Sequence, residues 1–121
     1  MAQPILLIDD SPSVRTLMRG ALEREKFNVV EASDGEDAMD KLDGQAFGLI
    51  VSDLSMPRMD GLSFLRWLRQ HPRYKFTPLL LLTTETREHV KQSARQLGAQ
   101  GYLAKPCTPT QLVTAVQRLC R

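Results

Sequence analysis

An apolar run, a single carboxylate and a Pro- and Gly-containing loop follow one another in the stretch Gly48-Leu-Ile-Val-Ser-Asp-Leu-Ser-Met-Pro-Arg-Met-Asp-Gly61. Its apolar residues 49–51 predict a buried strand, and the Pro and Gly residues that follow predict a loop. The strand therefore carries the carboxylate of Asp53 to its end. An acid at a strand end is a candidate site residue, but Asp is equally common in turns and helix caps. Whether Asp53 is a site residue depends on which other polar residues lie near it.

Length and composition predict one globular domain. The chain has 121 residues, of which 42% are hydrophobic and 25% charged, the balance of a folded protein with a real core. We expect one domain over residues 1–121, with no output domain attached. The N-terminus lacks the pattern of a signal peptide and no segment reaches membrane-spanning length, so we expect a cytoplasmic protein. Cys107 and Cys120 have no metal-ligand spacing, which favours reduced thiols.

Charge is distributed unevenly along the chain. Residues 1–60 carry 6 Lys/Arg against 12 Asp/Glu, whereas residues 61–121 carry 10 against 2. The second half therefore presents a basic, solvated surface that could attract an acidic partner. Because it has no basic run with interleaved aromatic residues, we expect no direct binding of nucleic acid.

Five apolar stretches alternate with five helical patterns. The stretches at residues 5–8, 27–32, 47–52, 79–82 and 101–104 predict strands. Apolar residues at helical spacing follow each strand: Val14, Leu17, Met18, Ala21 and Leu22; Ala38, Met39 and Leu42; Leu62, Leu65 and Leu68; Val90, Ala94 and Leu97; Leu112, Val113, Val116, Leu119 and Cys120. In the third helix, Arg66 and Arg69 are expected to face away from the core. The alternation predicts an α/β domain with a parallel sheet.

Polar residues follow four of the five predicted strands. They are Asp9 and Asp10 after the first strand, Asp53 after the third, Thr83 and Thr84 after the fourth, and Lys105 after the fifth. Because the carboxyl ends of parallel strands meet at one edge of a sheet, these side chains should converge there.

This set of side chains has a specific chemistry. Carboxylates brought close together repel unless a cation offsets their charge, and Mg²⁺ accepts oxygen ligands from two or three of them. The ammonium of Lys105 and the hydroxyl of Thr83 are groups that bind phosphoryl oxygens. Asp53 is then placed to attack phosphorus and form an aspartyl phosphate.

Two other classes of protein share parts of this layout. An aspartate-nucleophile phosphatase needs a second Asp two residues after the nucleophile as general acid, where this chain has Ser55. A nucleotide- or flavin-binding protein needs a Gly-rich or hydroxyl-rich phosphate loop after the first strand. The acidic residues Asp9 and Asp10 stand there instead and would repel phosphate.

Several motifs together resemble the receiver domain of bacterial response regulators. They are the Asp9-Asp10 pair, Asp53 with Met56-Pro57 and Met59-Asp60-Gly61, Thr83, and Tyr102 with Lys105-Pro106. The match spans essentially the whole chain. Its character, including Thr83-Thr84-Glu85 and the turn at residues 105–109, is similar to the stand-alone receivers of chemotaxis and related motility systems.

The resemblance implies a function for the acidic residues. Asp53 would accept a phosphoryl group from a phosphohistidine of a sensor histidine kinase. Asp10, Asp53 and the main-chain carbonyl of Ser55 would bind Mg²⁺ directly, with Asp9 assisting through water. The resemblance also implies a flavodoxin-like fold with strand order 2-1-3-4-5 and helices on both faces of the sheet.

Further roles follow from the same resemblance. Lys105, Thr83 and the main chain of Thr84 would contact the phosphoryl group, and Tyr102 would turn inward as Thr83 moves toward the phosphate. The bond between Lys105 and Pro106 is expected to be cis.

The family pattern also bears on phosphate lifetime and output. Ser55 and Glu85 occupy positions that tune attack by water on the phosphoaspartate, and Cys107 is expected to be a small packed hydrophobe. Output would come through a face built from the fourth helix, fifth strand and fifth helix. We expect a phosphoacceptor protein with only incidental self-catalysis, a monomer that contacts a kinase, a motor or other output protein and a phosphatase, but no membrane.

Overall fold

The computed structural model describes residues 3–54 and 60–120. Within these residues strands and helices alternate in the order β1 (Ile5–Ile8), α1 (Pro12–Arg24), β2 (Val29–Ala32), α2 (Gly35–Leu42), β3 (Leu49–Ser52), α3 (Gly61–Gln70), β4 (Leu79–Thr83), α4 (Glu88–Gln96), β5 (Gly101–Ala104) and α5 (Pro109–Leu119). No helix in the described ranges combines the length and apolar character needed to cross a membrane.

The strands form one parallel sheet in the order β2-β1-β3-β4-β5. This confirms the flavodoxin-like arrangement. The register pairs Ile8 of β1 with Ser52 of β3, so the residues that follow, Asp9 and Asp53, leave the sheet side by side. β1 and β3 are neighbours in the sheet although β2 lies between them in sequence, so the strand order reverses direction between them. Ligands of open parallel sheets bind at such a reversal.

The sheet is covered on both faces because its central strands are apolar on both sides. On one face α2, α3 and α4 pack on a cluster that includes Ile8, Ile50, Leu81, Phe64 and Leu68. On the other face α1 and α5 pack on a cluster that includes Leu7, Val51, Leu82, Leu22 and Val116. Alternate residues of each strand enter opposite clusters, as the two-residue period of a strand requires.

Several element bounds and one helix face differ from the sequence prediction. β2 begins at Val29 and β3 at Leu49, each two residues later than predicted, and β4 extends to Thr83. Phe27 stays outside β2 because its main-chain N–H still bonds the carbonyl of Leu22 at the end of α1. Leu17 was placed on the apolar face of α1 but is 53% exposed.

The prediction that Arg69 faces away from the core is wrong. Its guanidinium donates hydrogen bonds to the main-chain carbonyls of Tyr74, Lys75, Thr77, Leu97 and Gly98. It therefore joins the connection between α3 and β4 to the end of α4. Tyr74 in that connection is buried, with its hydroxyl bonded to the carbonyls of Leu42 and Gln45.

Candidate functional site

Asp9, Asp10 and Asp53 form a carboxylate cluster at the carboxyl edge of the sheet. One oxygen from each lies within 4.8 Å of the others. Asp9 is 2% exposed and Asp53 7% exposed, whereas Asp10 faces solvent. The cluster thus has two buried acids and one acid at its mouth.

Lys105 offsets the charge of the two buried acids. Its Nζ donates to Oδ2 of Asp9 at 2.5 Å and to Oδ2 of Asp53 at 2.8 Å. Burial by itself lowers the pKa of Lys105, but the hydrogen bonds to Asp53 and Asp9 outweigh it and raise the pKa above its usual 10.5. The ammonium therefore stays charged at neutral pH. The bond between Lys105 and Pro106 is cis.

Local contacts set the position of the first acid. The main-chain N–H of Ser11 donates to Oδ1 of Asp9 at 2.9 Å, and Ser11 also caps α1 through the N–H of Val14. Arg15 of α1 donates to the main-chain carbonyl of Asp9 at 2.5 Å and to Glu31 of β2 at 3.2 Å. The start of α1 thereby holds the turn that presents Asp9.

Contacts also constrain the main chain at the end of β3. The hydroxyl of Ser52 donates to the main-chain carbonyl of Asp53, and the N–H of Gly61 donates to the carbonyl of Leu54. A Cβ at Gly61 would lie 2.6 Å from the carbonyl oxygen of Asp53. The start of α3 therefore packs directly on the backbone that carries the acid. Ser55, the remaining predicted metal ligand, lies outside the described residues.

Thr83 and Glu85 meet at the end of β4. Thr83 is buried, and its Oγ1 accepts a hydrogen bond of 3.3 Å from the main-chain N–H of Glu85. Thr84 is exposed and lines an open groove with Leu54 and Leu62.

The hydroxyl of Tyr102 also binds Glu85. It donates to the main-chain carbonyl of Glu85, and the ring is half-buried with Nζ of Lys91 5.0 Å from its centre. Burial raises the pKa of Tyr102 above its usual 10, and the negative charges of Glu85 and Asp53 raise it further. Both predicted switch residues, Thr83 and Tyr102, therefore contact one residue of the loop after β4.

The carboxylate of Glu85 binds Arg87. The main-chain N–H and Nε of Arg87 donate to Oε1 and its Nη2 donates to Oε2, each at 2.8 Å. The hydrogen bonds from the Arg87 side chain and main chain lower the pKa of Glu85 to about 2.

Cys107 lies beside the site and packs against the core under α1 and α5. Burial raises the pKa of its thiol, an effect larger than the opposing charge of Lys105. A thiol with a raised pKa is a poor nucleophile, which suits a packing role.

Two contacts escaped the sequence prediction. The sequence alone does not indicate that Arg15 binds the main chain of Asp9 or that Arg87 binds Glu85. The available signal for Arg15 was its position four residues after Ser11, the residue that caps α1. Arg87 offered only its position two residues after Glu85.

The donor set fits a hard divalent cation. Carboxylate oxygens are the ligands that Mg²⁺ prefers, and it keeps several waters, which the exposed side of Asp10 allows. Asp9, Asp10 and Asp53 can therefore hold such an ion.

Comparison with protein-family models gives one decisive match. The model described as the response regulator receiver domain covers residues 5–117. This chain belongs to the receiver family. The carboxylate cluster, Thr83 and Lys105 lie at the carboxyl ends of β1, β3, β4 and β5, where the order of the predicted strands puts them.

Curated relatives of this receiver include longer proteins. The alkaline phosphatase synthesis transcriptional regulatory protein PhoP of Bacillus subtilis is 37% identical over 121 residues, which are 100% of this chain and 50% of PhoP. The transcriptional regulatory protein SrrA of Staphylococcus aureus is 36% identical over 100% of this chain and 49% of SrrA. The receiver thus spans about half the length of these relatives.

Solved structures include receivers of similar length. The chemotaxis response regulator CheY4 of Vibrio cholerae is 39% identical with a TM-score of 0.92, covering 98% of this chain and 99% of CheY4. The receiver domain of the sensor histidine kinase PA1611 of Pseudomonas aeruginosa is 28% identical with a TM-score of 0.87, covering 98% of each chain. That structure has a magnesium ion coordinated in its active site cleft.

Proposed function

We propose that this receiver is a phosphorylation-dependent signalling switch of a two-component system, in which Asp53 accepts a phosphoryl group from a sensor histidine kinase. The observation that carries the proposal is the ammonium of Lys105 bonded to both Asp9 and Asp53 within the carboxylate cluster. A charged donor beside a buried acid is the arrangement that binds an incoming phosphoryl group.

The proposed transfer uses an oxygen of Asp53 as nucleophile. That oxygen forms a bond to phosphorus while the bond from phosphorus to the imidazole nitrogen of the kinase breaks, and the imidazole leaves with the electron pair. Lys105 and the hydroxyl of Thr83 donate to the phosphoryl oxygens, with the main chain of Thr84 as a further contact. Lys105 has to exchange one carboxylate partner for a phosphoryl oxygen.

Mg²⁺ is the cofactor we propose for this site. Asp10 and Asp53 would bind it directly together with the main-chain carbonyl of Ser55, and Asp9 would assist through water. When bound, the ion supplies positive charge that offsets the phosphoryl oxygens. Ser55 and Glu85 would influence how readily water reaches the phosphoaspartate.

For output we propose a protein contact in chemotaxis or motility. The similarity to CheY4, which is 39% identical with a TM-score of 0.92, supports this assignment. The contact surface would be the face of α4, β5 and α5, where Arg87 before α4 and Lys91 and Arg95 within it favour an acidic partner. That partner would be a motor component, or a kinase for which the receiver is a phosphate sink.

The phosphoacceptor proposal is tested with a small phosphodonor. Acetyl phosphate and MgCl₂ should add one phosphoryl group to the wild-type protein, detected by intact mass, and EDTA should prevent the addition. Asp53→Ala should remain unmodified, whereas Asp40→Ala, a change of an exposed acid on α2, should be modified normally. No addition to the wild type, or addition that persists in Asp53→Ala, would overturn the proposal.

The partner is sought by comparing two states of the same protein. Immobilised receiver treated with beryllofluoride and MgCl₂, which imitates the phosphoryl group, should retain a motility or kinase protein that untreated receiver does not. Equal capture by both states would contradict a phosphorylation-dependent output.

A further inference from the structure

The loop between β4 and α4 lacks the cap that fixes the start of other helices. Asp34, Asp60 and Thr108 each cap the helix that follows through a side-chain bond to the main chain. The N-cap residue of α4 is Arg87, whose side chain makes no such bond. Another contact must therefore hold the conformation of residues 84–87.

Glu85 is the residue of this loop that connects to the rest of the site. Its main-chain N–H binds the hydroxyl of Thr83, and its main-chain carbonyl accepts the hydroxyl of Tyr102. The orientation of one peptide segment thus determines whether both contacts can exist together.

Arg87 supplies the missing restraint. The two nitrogens of its guanidinium bind the two carboxylate oxygens of Glu85, and its main-chain N–H binds one of them again. Paired bonds between a guanidinium and a carboxylate restrict geometry more strongly than a single bond. The Glu85 side chain is 15% exposed, whereas that of Arg87 is 67% exposed.

We propose that Arg87 is a positioning residue that holds the Glu85 main chain in the orientation that binds the Tyr102 hydroxyl. Arg87 thereby sets the fraction of molecules in which Tyr102 occupies its half-buried position. The regulatory meaning of that position rests on the proposed function, in which Tyr102 reports phosphorylation. The restraint itself is a property of the unphosphorylated protein.

The expected size of the effect follows from exposure. A solvent-exposed ion pair shifts a conformational equilibrium by about two- to fivefold. Lys91 opposes a larger shift because its ammonium lies over the Tyr102 ring and retains the ring near α4 when the hydroxyl is released. Removal of Arg87 should therefore change the Tyr102 population without unfolding the loop.

The test uses nuclear magnetic resonance with ring-labelled tyrosine. The chain has two tyrosines, and the buried Tyr74, bonded to Leu42 and Gln45, is an internal reference. Arg87→Ala should lower the population of the half-buried Tyr102 position, relative to a more exposed one, by about two- to fivefold. The Tyr102 ring signals should then shift toward those of an exposed ring, while the Tyr74 signals stay in place. Arg87→Lys should retain part of the wild-type position.

Matched variants separate this role from a general effect of positive charge. Arg118→Ala removes an exposed arginine of α5, which packs on the opposite face of the sheet from α4 and Tyr102, and should leave Tyr102 unchanged. Glu85→Gln should reproduce the change of Arg87→Ala, and adding Arg87→Ala to it should have little further effect. Unchanged Tyr102 signals in Arg87→Ala, or an equal change in Arg118→Ala, would overturn the proposal.

A separate experiment tests the proposed function by itself. Beryllofluoride with MgCl₂ should shift the Tyr102 signals of the wild-type protein. No shift there would count against phosphorylation-dependent switching, whereas the comparison of Arg87→Ala with the untreated wild type would still decide the role of Arg87.

Discussion

Lys105 is the residue whose charge holds the acidic site together. Asp9 and Asp53 are nearly buried, and a buried carboxylate without a counter-charge is costly. The ammonium therefore stabilises the fold at the same place where the proposed function needs a donor to phosphoryl oxygens. Stability and chemistry are linked through one side chain.

Replacing Lys105 should destabilise the protein and strengthen its binding of divalent cations. Lys105→Met should lower the free energy of unfolding by about 3–5 kcal/mol, because it removes the ammonium that is bonded to two nearly buried carboxylates. Excess MgCl₂ should recover most of this loss, and the variant should bind Mg²⁺ more tightly than the wild type. Thermal unfolding with and without MgCl₂ measures both. Lys41→Met, which removes an exposed ion pair with Asp37, is the control; an equal loss there would contradict the prediction.

Glu85 should titrate differently once Arg87 is removed. Its folded-state pKa of about 2 is below its ordinary 4.5, so the pair contributes stability above pH 4.5 that is lost as the pH falls through about 2. Arg87→Ala should raise the pKa of Glu85 toward 4.5, as followed by carboxyl-carbon resonances. A pKa that stays near 2 in this variant would show that another group lowers it.

Among the elements, the start of α3 has no room for a side chain at Gly61. A Cβ at Gly61 would lie 2.6 Å from the carbonyl oxygen of Asp53 and 2.6 Å from Cα of Leu54. Neither main-chain atom can move without displacing the acid. At Gly20 in α1, by contrast, a Cβ would have no atom within 4 Å.

Two glycine substitutions should therefore act in opposite directions. Gly61→Ala should lower the free energy of unfolding by about 2 kcal/mol or more and slow labelling by acetyl phosphate, because it displaces the backbone of Asp53. Gly20→Ala should stabilise the protein by up to about 1 kcal/mol, since Ala is the better helix former. Denaturant unfolding and labelling rates give the comparison. Equal effects of the two changes would contradict the contact at Gly61.

Arg69 joins α3, the following connection and the end of α4. Arg69→Ala should lower the free energy of unfolding by about 1–3 kcal/mol, because partly buried main-chain carbonyls lose their donor. Arg66→Ala, an exposed neighbour on the same helix, should change it by less than about 0.5 kcal/mol. Denaturant unfolding distinguishes the two, and similar values would mean that the bonds of Arg69 contribute little.

For the whole molecule, helix packing predicts where motion is concentrated. Of the residues that the structure describes in α4, Ala94 is the buried one, whereas α1 buries Met18, Ala21 and Leu22. A helix with little buried apolar surface opens at lower free energy. The face proposed for output thus contains the most weakly held helix, next to the loop that binds Tyr102.

Hydrogen exchange should reveal this difference. Amides of α4 should exchange faster than those of α1 and α5, and beryllofluoride with MgCl₂ should change exchange in α4, β5 and the loop between β4 and α4. Exchange in α1 should change little. A response spread evenly over all helices would contradict a localised switch.

Much of the fold was predictable from the sequence because its signals are local. Continuous apolar stretches for the strands and helical spacing of apolar residues for the helices indicated the order of the elements. A parallel sheet then required that Asp9, Asp53 and Lys105 meet at one edge, as they do. The spacing of apolar residues along a helix does not always indicate which of them are buried. Leu17 follows the apolar pattern of α1 but faces solvent.

By itself the sequence determined the α/β class, the parallel sheet and the set of acids, hydroxyl and ammonium at its edge. Only the tertiary structure decided which atoms pair: Arg15 with the carbonyl of Asp9, Arg69 with the end of α4, and Tyr102 with Glu85. Periodicity indicates which side of an element is apolar. A hydrogen bond depends on the distance and direction between groups far apart in the chain, and these are set only when the helices pack on the sheet.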